Sequence, residues 1–117
     1  NVRRFSASES VIVTAFLRSR AGKEEELAGR LKTLVLAARS DPGVIIYDLH
    51  HSTEDPALWF LYERYESQEY LNRHQVENAV LRSFLADAAT LVDGKIDIRT
   101  FRMVALNSQA LKESPAA

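Results

Sequence analysis

Three residues that could transfer or hold protons, Tyr47, Glu63 and His74, stand among strongly apolar neighbours in the middle of the chain. Histidine titrates at about pH 6.5 in water, which suits a general base at neutral pH. A carboxylate in apolar surroundings must be paired or have a raised pKa. A tyrosine hydroxyl can orient a phenolate. The pattern predicts a pocket that combines apolar walls with acid–base groups.

Two strands and a helix must position these groups. The sequence Asp41-Pro42-Gly43 predicts a tight turn, because proline presets φ and glycine tolerates positive φ. Residues 44–50 and 58–65 are rich in β-branched and aromatic residues, and a polar segment at 52–56 separates them. This arrangement predicts an antiparallel hairpin. Ser67 is a suitable N-cap for a helix that reaches about His74.

The remaining elements complete one domain over residues 11–106. Residues 11–17 predict a strand, 23–39 a helix with apolar residues at helical spacing, and 96–104 a half-exposed strand. Asn78 predicts the start of a second helical segment. The order β-α-β-β-α-β predicts a ferredoxin-like α+β fold, with a four-stranded antiparallel sheet and helices on one face. Residues 1–10 and 107–117 are expected to be flexible.

The strands predict a second copy of the chain. Their central segments, residues 11–13, 44–46 and 59–62, are apolar on both faces, as in sheets covered on both sides. Helices on one face would leave a large apolar patch on the other. A homodimer packed sheet against sheet, forming a dimeric α/β barrel, is the simplest cover.

Composition excludes several classes of function. The chain of 117 residues has a net charge of −1 and scattered basic residues, so we expect no nucleic-acid partner. It has no cysteine, which excludes thiol chemistry and fits a cytoplasmic protein. No apolar stretch is long enough for a membrane span, and the N-terminus lacks a signal-peptide core.

Each candidate residue also has a purely structural interpretation. His74 could serve only as a structural hydrogen-bonding group, and Tyr47 could simply pack in the sheet. Glu63 could form an ion pair with Arg64, Arg99 or an arginine of a partner subunit. Otherwise we expect Glu63 to hold His74 or a substrate hydroxyl.

Strand alternation decides which neighbours share a face with Glu63. It places residues 59, 61, 63 and 65 together, so Trp59, Leu61 and Tyr65 are predicted to line the pocket if Phe60 and Tyr62 pack under the helices. Alternation also sends His50 and His51 to opposite faces, which argues against a metal site there.

The hairpin and the following helix resemble a known family. Pro42-Gly43, residues 47–50, Asp55-Pro56, residues 60–65 and Leu71-x-x-His74 are similar to the antibiotic biosynthesis monooxygenase domain, which includes small quinol monooxygenases and forms dimeric α+β barrels. The resemblance implies that an aromatic phenol, quinol or anthrone is deprotonated in an apolar pocket and oxidised directly by O₂. No metal, flavin or haem is required, and the protein supplies desolvation, orientation and a base.

The sequence departs from the family pattern in places that bear on function. Family members often carry a second histidine where this chain has Ala79, and a tryptophan where it has Tyr65. The haem-degrading branch uses an asparagine on the first strand, where this chain has residues 14–16 (Thr-Ala-Phe), and a histidine on the later helix, where it has Arg82 and Ser83. The resemblance therefore predicts no haem degradation.

Apolar patterning predicts a homodimer, and the family resemblance implies a cofactor-independent monooxygenase acting on a small aromatic substrate and O₂. His74 is the predicted base, assisted by Tyr47 and Glu63. Two alternatives stay open, namely a non-catalytic small-molecule-binding or stress-response module and a cofactor-free isomerase, because fold alone does not determine function.

Overall fold

The computed structural model describes residues 9–107. Two helices follow one another after the hairpin, and four strands form one sheet. The elements are β1 (Val11–Arg18), α1 (Glu24–Ala38), β2 (Val44–His51), β3 (Leu58–Tyr65), α2 (Gln68–Glu77), α3 (Ala79–Leu91) and β4 (Asp97–Arg102).

The four strands form an antiparallel sheet in the order β2-β3-β1-β4. This is the ferredoxin-like topology, so the predicted fold class and hairpin are confirmed. β4 is shorter than the predicted strand over 96–104, because its pairing with β1 runs only from Asp97 opposite Phe16 to Arg102 opposite Val11. Beyond Arg102, β1 offers no further partner.

Two capping side chains place the helices that follow the hairpin. The Ser67 hydroxyl accepts a hydrogen bond from the Tyr70 backbone N–H and starts α2. Asn78 has extended backbone angles, so α2 ends there, and its side chain accepts from the Leu81 N–H to start α3. Both predicted caps are confirmed. They set the phase of α2, which turns Leu71 and His74 inward.

The core lies between the helices and one face of the sheet. Val13, Ala15 and Leu17 of β1 face the buried leucines of α1, and Phe84 of α3 joins the same cluster. Because the helices cover only this inner face, the alternating side chains of the strands meet two different environments.

The face assignment of β3 differs from the expectation. Trp59, Leu61, Glu63 and Tyr65 are the buried residues of this strand, apart from Arg64, and they face the helices. Phe60 and Tyr62 lie on the opposite, outer face, where Phe60 stacks on Phe16 with ring centroids 4.7 Å apart. The condition attached to the pocket prediction, that Phe60 and Tyr62 pack under the helices, is therefore not met. The pocket-forming residues instead lie inside the domain.

The predicted flexible segments lie mostly outside the described residues. Of residues 1–10 the structure describes Glu9 and Ser10, and of residues 107–117 it describes Asn107 alone. Ser10 is buried, and its hydroxyl accepts a hydrogen bond of 2.9 Å from Arg64. Among residues 9–107, no helix has the length and apolar character needed to cross a bilayer.

Candidate functional site

A cavity of about 170 Å³ lies between the inner face of the sheet and the helices. Its walls are mostly aliphatic side chains, with Phe84 of α3 and Leu71 of α2 on the helical side. Exposed Leu85 and Ile98 lie at its edge, where the cavity meets solvent. A cavity near this size holds about one six-membered aromatic ring. Its polar groups, Tyr47, Glu63, Tyr65, His74 and Gln75, line the same space.

His74 is anchored on one edge and free on the other. Its Nδ1 lies 2.9 Å from Oδ2 of Asp41, and the ring is buried. Nε2 is also buried and has no hydrogen-bond partner among residues 9–107. An ionised carboxylate only accepts hydrogen bonds, so Nδ1 is the donor in this pair, and in the neutral imidazole the lone pair is then on Nε2. His74 lines the cavity and Asp41 does not, and Nε2 is the ring nitrogen that Asp41 does not bond.

Asp41 was not singled out by the sequence analysis, which treated it only as part of a turn. Its Oδ1 accepts a hydrogen bond of 3.1 Å from the Gly43 N–H, which holds the carboxyl group in place and leaves Oδ2 for the imidazole. An aspartate two residues before the glycine of a turn commonly makes this bond. The turn pattern predicts this bond, but it does not predict that the same carboxyl group contacts a histidine 33 residues later.

Gly43 allows the turn and α2 to approach. A Cβ atom at this position would overlap the ring of Tyr70, which lies one helical turn before His74. The absence of a side chain at Gly43 therefore lets α2 lie close enough for His74 to reach Asp41.

Glu63 is buried, and it has no positively charged partner among the described residues. Its Oε1 accepts a hydrogen bond of 2.6 Å from the Tyr65 hydroxyl. Burial raises the pKa of Glu63 to about 7, although the bond from Tyr65 opposes that shift. The carboxyl group is therefore partly neutral near physiological pH.

The partners expected for Glu63 lie elsewhere. Arg64 is on the outer face with Ser10, and Arg99 pairs with Asp97 at 3.1 Å. Among the described residues, the predicted ion pair with Arg64 or Arg99 is therefore wrong. The role of holding His74 belongs to Asp41, because the imidazole bonds to that carboxylate.

The two tyrosines complete the polar end of the cavity. Tyr47 of β2 lies opposite Glu63 of β3, and its hydroxyl makes no hydrogen bond to any residue in the described range. Burial, together with the Glu63 charge, raises the pKa of Tyr47 and of Tyr65. Both hydroxyls therefore keep their protons at neutral pH. Their rings lie 5.8 Å and 5.3 Å from the His74 ring, between centroids.

The structure places the predicted wall residues in two groups. Leu61 and Tyr65 line the cavity. Trp59 shares their strand face but is not a lining residue, and its ring stacks on His51 with centroids 3.9 Å apart. Trp59 lies further along β3 toward the hairpin loop, so its contact with a substrate stays a prediction.

His50 and His51 point to opposite sides, as predicted. His50 contacts the ring of Phe60 on the outer face, whereas His51 stacks on Trp59 on the inner face. Within residues 9–107, no group of three or more histidine, aspartate or glutamate side chains could hold a metal ion.

Comparison with known proteins gives a family match. The model of the antibiotic biosynthesis monooxygenase family matches residues 10–83, a range that contains β1, the hairpin and His74. No curated protein gives a significant match to the chain.

Solved structures share the fold. PA3566 from Pseudomonas aeruginosa is 25% identical with a TM-score of 0.78, covering 86% of this chain and 99% of that one. Rv0793 from Mycobacterium tuberculosis is 22% identical with a TM-score of 0.75, covering 86% and 98%. A candidate antibiotic biosynthesis monooxygenase from Deinococcus radiodurans is 18% identical with a TM-score of 0.73, covering 85% and 98%.

Gly43→Ala tests the approach of α2 to the turn. The new methyl group would overlap Tyr70, so we expect the free energy of unfolding to fall by about 1–3 kcal/mol, the usual cost of overpacking. Gly29→Ala is the matched control, because Gly29 lies in α1 with open space around it and alanine favours a helix. Thermal melting should show Gly43→Ala several degrees below the parent and Gly29→Ala at or above it. Equal melting temperatures for the two variants would contradict this packing argument.

Glu63 should make stability depend on pH. Its pKa is raised from 4.5 to about 7 in the folded chain, so the folded state holds a proton that the unfolded state releases in this range. Unfolding free energy should therefore fall as pH rises from 4.5 to 7 and then level off, by an amount on the order of 3 kcal/mol. Glu63→Gln should remove this component and melt higher than the parent at pH 8. Urea titrations of both proteins across pH 4.5–8 measure it, and a parent that gains stability over this range relative to Glu63→Gln contradicts the assignment.

Proposed function

Because the chain belongs to the antibiotic biosynthesis monooxygenase family, we propose that it is a cofactor-independent monooxygenase that oxidises a small aromatic quinol, anthrone or polyketide phenol with O₂. One observation carries the proposal. A buried imidazole, fixed by Asp41, lines an apolar cavity the size of an aromatic ring, and its Nε2 has no hydrogen-bond partner among residues 9–107.

His74 acts as the general base in this proposal. Asp41 fixes the orientation of the ring, keeps the proton on Nδ1 and stabilises the imidazolium that forms when Nε2 takes a proton from a substrate hydroxyl. Asp41 is thus a positioning residue and His74 the catalytic one. The aryl-oxide left in the apolar cavity loses the hydration that would stabilise its charge, so it becomes a better electron donor to O₂.

Oxidation then balances without an external reductant. For a quinol, two electron pairs leave the ring system, one oxygen atom of O₂ enters the ring, and the other leaves as water. The two protons of that water are those released by the substrate. His74 can return one of these protons to the departing oxygen. Glu63, partly neutral near pH 7, can donate the second proton and then take one back from the substrate. The protonated Tyr47 hydroxyl is free to donate a hydrogen bond to a substrate oxygen.

The proposal includes a homodimer that buries the outer face of the sheet. Phe16 and Phe60 stack there, Phe60 lies 6.4 Å from Tyr62 between ring centroids, and Phe101 on neighbouring β4 is half exposed. Such an aromatic patch on a single chain favours contact with a second apolar surface. Twofold pairing of this face with itself is the simplest arrangement.

His74→Ala tests the catalytic proposal. With an oxygen electrode and a panel of quinols and anthrones, corrected for uncatalysed oxidation, we expect the parent to consume O₂. His74→Ala should lower the rate by about 10²–10⁴, the usual contribution of a general base. The control is Asn72→Ala, which removes an exposed polar side chain of the same helix that does not line the cavity and should keep the rate.

The other outcomes of this experiment distinguish the monooxygenase from its two alternatives. A fully active His74→Ala removes His74 from the mechanism. Ligand binding without O₂ uptake supports a binding module, whereas product formation without O₂ supports an isomerase.

Phe16→Glu tests the dimer. A charge in the centre of the aromatic patch would have to be buried unpaired, at a cost of several kcal/mol, so the dimer should dissociate. Leu36→Glu is the control, because Leu36 is also exposed but lies on α1, away from the outer face. Light scattering at micromolar concentration should give twice 13.2 kDa for the parent and Leu36→Glu and 13.2 kDa for Phe16→Glu. A monomeric parent would contradict the dimer.

A further inference from the structure

We infer that the cavity selects uncharged phenols and rejects phenols that carry an ionised carboxylate, with Glu63 as the residue that determines this selectivity. The inference rests on the proposed function of the same cavity and narrows its substrate class.

The first support is the chemistry of the walls. Among the residues described, neither a lysine nor an arginine lines the cavity. Its polar groups are two protonated tyrosines, Gln75, His74 and Glu63. An anionic ligand would therefore find no permanent positive charge in contact with it.

A nearby positive group is already engaged. Arg30, which is not a lining residue, lies over the Phe84 ring at 5.9 Å and pairs with Asp87 at 3.1 Å. Among the described lining residues, His74 alone could become cationic, and its charge would already face Asp41 at 2.9 Å. Neither group offers a carboxylate ligand an uncompensated charge.

Glu63 adds repulsion to this lack of partners. It is buried on the cavity wall, and its one described hydrogen bond comes from the neutral Tyr65 hydroxyl. A second carboxylate in the same apolar space would face a like charge at close range, and both would lose hydration. Uncharged ligands avoid both costs, and their hydroxyl can still reach His74.

Two ligands of the same size and shape, one neutral and one anionic, test the effect of ligand charge on binding. We would titrate the protein with 3-hydroxybenzamide and with 3-hydroxybenzoate at pH 8, following binding by NMR chemical shifts. The two share the ring, the phenol and the size of the substituent. We expect the benzoate to bind at least about tenfold more weakly, because an unpaired buried charge costs more than the 1.4 kcal/mol that corresponds to tenfold.

The variant and the pH series identify the residue responsible. In Glu63→Gln at pH 8 the difference in affinity between the two ligands should become smaller, since an amide there carries no charge. It should also narrow in the parent at pH 5.5, where Glu63 is protonated and the benzoate is still ionised. Asp48→Asn is the control, because it removes an exposed carboxylate of β2 that does not line the cavity. That variant should behave as the parent does.

The outcomes separate this inference from the proposed function. Equal affinity for the two ligands in the parent, or a difference that Glu63→Gln leaves unchanged, overturns the selectivity while O₂ uptake with quinols can still be observed. The expected selectivity in a protein that oxidises no quinol supports the inference and overturns the monooxygenase. If neither ligand binds, the cavity is not a phenol site and the inference falls.

Discussion

The hydrogen bond between His74 and Asp41 is the contact on which the rest of the site depends. It joins α2 to the turn that starts the hairpin, and it decides which edge of the imidazole is free. Three local features make it possible. The Gly43 N–H holds the carboxyl group, the missing side chain of Gly43 admits Tyr70 and α2, and the Ser67 cap sets the phase of the helix. Among residues 9–107 this leaves the buried Nε2 of a cavity-lining histidine without a hydrogen-bond partner, which costs free energy in the folded state.

The two faces of the sheet have different environments and different residues. The inner face supplies the cavity and brings Tyr47 and Glu63 together through the pairing of β2 with β3. The outer face carries stacked aromatic rings that the helices do not cover. Alternation along each strand therefore gives one eight-residue segment, β3, both an acid group for the cavity and an aromatic group for the other surface. A single-residue shift in register would exchange the two sets.

Much of this arrangement could be predicted from the sequence, because local patterns determine it. Cap residues, the Pro-Gly turn and two-residue alternation gave the elements, the fold class and the grouping of Leu61, Glu63 and Tyr65. Local patterns do not say which face of a two-sided apolar strand meets the helices. For that reason the sequence left open whether Phe60 and Tyr62 or the residues beside Glu63 pack under the helices. Local patterns also do not show long-range pairing, so Asp41 was missed as the partner of His74.

The central claim is that Nε2 of His74 receives a proton from a phenolic hydroxyl in the cavity. A structure of the protein with a quinol bound in the absence of O₂ tests it most directly, because no turnover can then remove the ligand. The account predicts the ring inside the cavity, with one hydroxyl oxygen about 2.6–3.2 Å from Nε2 and Nδ1 still bonded to Asp41. A quinol bound with both oxygens turned away from His74, or an Nε2 that pairs with another side chain of the protein, would contradict it.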